Sequence, residues 1–120
     1  MLFLCYPKCT TCQKAKTWLD ENDLSYELRN IKEQNPTYEE LSEWYRLSGL
    51  PLKKFFNTSG LLYKSMDLKN RLPEMSDEEQ LRLLASDGML VKRPIAVKDS
   101  MVLVGFKAEV WDKLKATPQK

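Results

Sequence analysis

Two cysteines three residues apart, Cys9 and Cys12, stand between a short apolar run and a helix-forming stretch, and few folds place a C-x-x-C there. Leu2-Phe3-Leu4-Cys5 is the apolar run, broken by Tyr6-Pro7-Lys8, and it predicts a buried, parallel strand entering a loop. From Thr10 onward Cys12, Ala15 and Trp18/Leu19 recur at helical spacing over good helix formers, and Asn22-Asp23 punctuates the end. The pair therefore sits at the N-terminus of a helix that follows a strand. On a first helical turn, positions i and i+3 lie close enough to form a disulfide. The unpaired N–H groups and positive dipole end favour the thiolate of the first thiol over that of the second. Cys9 is the expected nucleophile and Cys12 the expected resolving thiol, against the plainer reading of both as small apolar fillers.

The rest of the composition narrows the chemistry. All 3 cysteines fall between Cys5 and Cys12, too odd and too local a set for the disulfide framework of a secreted fold. There is no histidine, which removes triad hydrolases and His-bearing zinc sites, and three clustered thiols without a second pair do not make a closed structural zinc site. Redox chemistry remains, with no metal and no bound cofactor expected. Cys5, inside the strand run, reads as a buried filler rather than a third redox partner. A balance of 19 Lys+Arg against 17 Asp+Glu, with the signs interspersed, gives no polybasic arm, so no direct contact with nucleic acid is expected. No apolar run approaches the roughly 20 residues of a membrane span, and Met1 is followed by no basic leader, so the expected location is cytoplasmic, away from membranes.

Further along, 25–30 alternates polar and apolar as a second strand, making a right-handed β-α-β unit. Pro36-Thr37-Tyr38-Glu39-Glu40 opens a helix whose face carries Leu41, Trp44, Tyr45 and Ser48 and which Gly49 and Pro51 stop. No strand is expected across about 52–88. That stretch holds a short helix at 51–56, a turn at 57–60, and a helix from Ser76 with Glu79 as capping-box partner and Leu81, Leu84 and Ala85 inward. The runs 94–97 and 101–104 flank a Lys98-Asp99-Ser100 turn as an antiparallel hairpin, and a last helix at 107–115 turns Val110, Trp111 and Leu114 inward. The aromatic residues Trp18, Trp44, Trp111, Tyr38, Tyr45, Phe55 and Phe56 fall at helical spacings and read as core. The sum is one α/β domain over 1–116: β-α-β, a helical insert at about 36–88, then β-β-α. This is a thioredoxin-like layout with a mixed sheet and a frayed tail at 117–120.

The motifs Pro-Lys-Cys-Thr-Thr-Cys-Gln-Lys-Ala at the start, Leu84-Ala85-Ser86-Asp87-Gly88-Met89-Leu90-Val91-Lys92-Arg93-Pro94-Ile95, and Val104-Gly105-Phe106 make nearly the whole chain resemble one group. It resembles the arsenate reductase (ArsC) family coupled to glutaredoxin, together with the Spx-type redox regulators of transcription in low-GC Gram-positive bacteria. The resemblance implies a cis peptide at Arg93-Pro94 beside the nucleophile, with Arg93 facing Cys9. An arginine there lowers a thiol pKa and grips an oxyanion by two hydrogen bonds, whereas the plain alternative is a surface arginine paired with a carboxylate. It also implies substrate contacts from Lys53 (or Lys54), Thr10, Thr11 and Pro94.

The chain departs from the reductases in two places. Their three oxyanion-binding arginines align with Lys53 or Lys54, Arg93 and Phe106, so one guanidinium survives and weak arsenate turnover is implied. The C-x-x-C itself belongs to the regulators, since the reductases take their second thiol from glutathione. Ala85-Ser86-Asp87-Gly88-Met89-Leu90, in contrast, follows an uncharacterised, reductase-like branch. Two functions stay open: a thiol oxidoreductase restored by thioredoxin or by glutathione and glutaredoxin, and a regulator that docks on RNA polymerase and reads oxidation through Cys9 and Cys12.

Overall fold

In a computed structural model of the chain, residues 1–115 are described; the tail expected at 117–120 lies outside them. The apolar start forms β1 (Leu2–Cys5), α1 (Thr10–Glu21) runs back over one face, and β2 (Glu27–Asn30) pairs with β1 in parallel, Leu2 opposite Glu27 and Cys5 opposite Asn30. On the other side of β1 lies β3 (Ile95–Lys98), antiparallel to it, followed by β4 (Met101–Val104), which pairs antiparallel with β3. The sheet order is β2-β1-β3-β4, a mixed sheet whose central strands come from the two ends of the chain. The hairpin turn passes through Asp99 at φ 53°, a left-handed conformation that Asp tolerates better than most residues.

The strand alternation splits the core into two layers. Phe3 and Cys5 point to one face with Ala96 and Leu103, where Cys12, Ala15 and Leu19 of α1 cover them. Trp111 and Leu114 close that layer from α6 (Ala108–Trp111) and the 3₁₀ turn Asp112–Leu114 that prolongs it. Leu4, Ile95 and Val102 point to the opposite face and are covered by the insert. There α2 (Tyr38–Ser48) contributes Leu41 and Trp44, and its Thr37–Glu40 capping box is reciprocal. A left-handed Gly49 at φ 71° ends it.

The expected 51–56 helix is a 3₁₀ turn, Leu52–Phe55. After it come two short helices that periodicity did not single out, α3 (Leu61–Ser65) and α4 (Leu68–Arg71). Next, α5 (Asp77–Ser86) begins with the expected Ser76–Glu79 capping box. No named strand falls within 52–88. A single antiparallel bridge ties Phe56 to Val91, and beside it Lys92 N–H donates to the Phe55 carbonyl at 2.8 Å and Asn57 N–H to that of Leu90 at 2.8 Å. These bonds anchor the insert against the segment that leads into Arg93. Gly88 fixes that segment from beneath: a Cβ there would lie 1.8 Å from the Ile31 carbonyl oxygen, so no side chain fits.

Candidate active site

The turn after β1 closes by a hydrogen bond from Cys9 N–H to the Tyr6 carbonyl at 2.9 Å, and Cys9 becomes the N-cap of α1 with extended φ −92°, ψ 121°. Unlike α2 and α5, this helix has neither a hydroxyl cap nor an acidic residue in its first turn. Cys9 is half-buried, Thr10 and Thr11 are exposed, and Cys12, one turn further in, has no exposed surface at all. The Cys12 sulfur accepts the Tyr6 N–H at 3.3 Å. It also lies in hydrogen-bond contact with both other thiols, Cys5 at the end of β1 and Cys9 at the helix start.

The acidities of the three thiols separate accordingly. Burial pushes Cys9 up, but the Cys12 N–H, the Cys12 thiol and the Arg93 guanidinium together outweigh it, and its pKa falls below the ordinary thiol value. Cys12 moves well above that range, through its hydrogen bond to Cys5 first, through burial second, and through the nearby Cys9. The Cys12 hydrogen bond draws Cys5 down to about 7 against burial, with help from the Lys16 ammonium. Within the C-x-x-C, the thiol at the helix cap is thus held below the ordinary value and the one a turn further in above it, the order a helix terminus favours.

Arg93 arrives from the other end of the chain. Its peptide bond to Pro94 is cis, as the family resemblance implied, and the Pro94 carbonyl accepts the Gly105 N–H at 2.8 Å. The guanidinium lies 5.3 Å from the centre of the Tyr6 ring, and one terminal nitrogen donates to the Met89 carbonyl at 3.5 Å. Its Nε is buried without a partner, and no carboxylate pairs with it among the described residues. Its charge is directed at Cys9 instead. Both groups open into a cleft of about 590 Å³ that Thr11, Asn57, Ser59 and Lys92 also line, with Leu61 on its rim.

Lys53, exposed on the Leu52–Phe55 turn, is not among the cleft residues, and neither is Thr10. Lys92 supplies a second cation to the cleft where Lys53 was expected to. Pro94, expected to contact substrate, is buried and is not among the cleft residues either; its carbonyl is held by the Gly105 N–H. Phe106 sits in an aromatic nest, with ring centres 5.1 Å from Trp111 and 6.1 Å from Trp18. Asn57 and Ser59 read in the sequence only as part of a turn, because it is the folding of the insert that brings them to the cleft that Cys9 lines. Lys92 did carry one, as the residue before Arg93. Among the described residues no cluster of three or more Cys, Asp or Glu side chains is arranged to hold a metal, and no helix is long and apolar enough to cross a membrane.

A strand–C-x-x-C–helix packed against a cis-proline strand, interrupted by a helical insert, defines a thioredoxin-like protein of the ArsC type, and the chain belongs to the ArsC family, whose profile matches residues 4–114. It is 52% identical over 112 residues to the uncharacterised protein YusI of Bacillus subtilis, covering 93% of this chain and 95% of that one. Regulatory protein MgsR of the same organism is 30% identical over 106 residues, 88% and 82% of the two chains. Among solved structures, an ArsC family related protein from Bacteroides fragilis superposes with a TM-score of 0.93 at 60% identity, covering 94% of this chain and 95% of its own.

Proposed function

We propose that the protein is a thiol oxidoreductase in which Cys9 attacks and Cys12 resolves. The observation that carries this reading is a half-buried Cys9 at an otherwise uncapped helix N-terminus, favoured as thiolate and in contact with both Arg93 and the Cys12 thiol. The Cys9 thiolate attacks one sulfur of an oxidised, disulfide-bonded substrate, the other sulfur leaves as a thiolate, and a mixed disulfide forms. Once Cys9 is in that bond it no longer carries the negative charge that helps hold Cys12 protonated, so Cys12 is easier to ionise at the moment it is needed. Cys12 then attacks Cys9, the reduced substrate departs, and a Cys9–Cys12 disulfide remains for thioredoxin, or glutathione with glutaredoxin, to reduce. Arg93 and Lys92 favour substrates with an anionic group next to the reacting sulfur.

The test is a Cys12→Ser chain incubated with cell extract and resolved without reductant. Trapped mixed disulfides at Cys9 are expected, and their absence from a folded variant refutes the reading. A second reading, a redox-read transcriptional regulator, is favoured by the C-x-x-C itself and by the likeness to a regulatory protein. Retention of RNA polymerase subunits by one redox form of the intact protein selects it.

A further inference from the structure

Cys12 is in contact with two thiols, and the proposed oxidoreductase cycle uses one of them. Cys5 and Cys12 are 4% and 0% exposed and lie in one core layer, on the side of β1 that α1 covers. The loop between them turns back on itself, so that the Cys12 sulfur receives the N–H of Tyr6, the residue next to Cys5. Cys12 therefore sits between a buried thiol on the strand and a half-exposed thiol on the helix cap, packed in one core layer with the first and one helical turn from the second.

We propose that Cys5 is a third redox thiol, which takes Cys12 out of the Cys9–Cys12 disulfide and returns Cys9 to the cleft in reduced form. The inference rests on the reading of Cys9 and Cys12 given above. In the step, the Cys5 thiolate attacks the Cys12 sulfur, the Cys9–Cys12 bond breaks, and Cys9 leaves with the bonding electron pair. The proton that Cys5 gives up passes to solvent, from which Cys9 draws one in the fraction that reprotonates. No external oxidant or reductant enters, because one disulfide is exchanged for another. The better leaving group is the one that Arg93 and the first-turn N–H hold as thiolate, which directs the exchange toward free Cys9.

The new bond has a different character from the old one. Cys9–Cys12 is reachable from the cleft, whereas Cys5–Cys12 is sealed beneath Phe3, Ala15 and Leu19, where a protein reductant has no access to either sulfur. The oxidised chain would keep a competent nucleophile and hold its oxidation in the core, to be given back only through the reverse exchange.

Stepwise oxidation of the full chain with one equivalent of diamide, followed by alkylation and non-reducing peptide mapping over time, tests this. Diamide removes two electrons and two protons from the pair that opens to the cleft through Cys9, so a Cys9–Cys12 peptide is expected first, then a Cys5–Cys12 peptide with Cys9 alkylated. In Cys5→Ala the first product should persist and Cys9 should stay blocked. A Cys9→Ser chain gives a reading independent of how Cys5 variants fold: diamide should join Cys5 to Cys12 in it. A wild-type chain that stops at Cys9–Cys12, with Cys5 alkylated once the protein is unfolded, overturns the exchange and leaves the oxidoreductase reading intact. No intramolecular disulfide in the wild-type chain overturns both.

Discussion

Replacing Arg93 with Gln removes the one guanidinium that faces Cys9 while keeping a side chain able to fill much of the same space. A hydrogen bond to a charged group contributes about 1.5–3 kcal/mol, and because Cys9 is partly open to solvent the lower end applies. The Cys9 pKa should therefore rise in the variant, and the lost energy corresponds to about a tenfold smaller thiolate fraction at a pH below the midpoint. The Cys12 N–H remains in place, so the helix terminus keeps its share of the lowering. The assay is the rate of iodoacetamide labelling at Cys9, mapped by mass, across pH 4 to 10. Below both midpoints the variant should react about tenfold more slowly, the rates should converge once both thiols are ionised, and Arg93→Lys should fall between. Because the folded-state pKa of Cys9 is lowered, the stabilisation from this contact is fully present above the unfolded thiol pKa and is lost as pH falls through the folded value. The variant should therefore lose urea resistance relative to the parent only on the alkaline side. A folded Arg93→Gln chain whose labelling midpoint matches the parent refutes the assignment of Arg93 to Cys9.

Gly88→Ala drives a methyl group into the Ile31 backbone carbonyl, and overpacking of this kind costs about 3 kcal/mol, so the thermal midpoint should drop by roughly 10 °C; an unchanged midpoint contradicts the close approach. Glu40 bonds Arg29 through both oxygens at 2.8 Å, and that pairing holds its carboxyl below the ordinary value against partial burial. Its stabilisation should be complete above the unfolded carboxylate pKa and disappear as pH falls through the lowered one, so Glu40→Gln should flatten the acid limb of a urea-midpoint-versus-pH curve. Arsenate turnover should be weak or absent, measured as NADPH consumption coupled either to glutathione with glutaredoxin or to thioredoxin with its reductase. The reason is that Phe106 is committed to Trp18 and Trp111, and Lys53 lies outside the cleft. Each lost bidentate contact removes about 1.5–3 kcal/mol of anion binding, and robust turnover that vanishes in Cys9→Ser would overturn the argument.

What the sequence displayed were the features that local chemistry decides. Ser76 with Glu79, Gly49 after an amphipathic run, and the Pro94–Val104 stretch around Asp99 announce a cap, a stop and a hairpin within a few residues each, and the structure bears them out. β2 begins at Glu27 rather than at residue 25, and Leu28 on it is 53% exposed, because an edge strand alternates without both faces being covered. The short helices α3 and α4 escaped, since five and four residues hold too little of a helical period to count, and Asp67 between them is left-handed at φ 54°. At the site, Cys9 and Cys12 were legible from spacing, Arg93 and its neighbour Lys92 from the motif that carries the family likeness, and Asn57 and Ser59 only from the way the insert closes. Cys5 was read correctly as buried. Its contact with Cys12 was hidden because it spans strand, turn and helix, three elements whose relative placement no local pattern fixes.

The bare start of α1 has a consequence for what evolution can do at this position. A Ser, Thr or Asp at position 9, as cap residues usually are, would strengthen the helix by about 1 kcal/mol, and a carboxylate at position 10 or 11 would strengthen it further. Either change would spend the same N–H groups and positive field that the sulfur uses, and an acidic neighbour would repel the thiolate outright. Selection for heat resistance and selection for thiol chemistry therefore pull this helix in opposite directions, and any stabilised descendant that keeps its chemistry should gain its margin in α2, α5 or the insert while leaving residues 9–11 as they are.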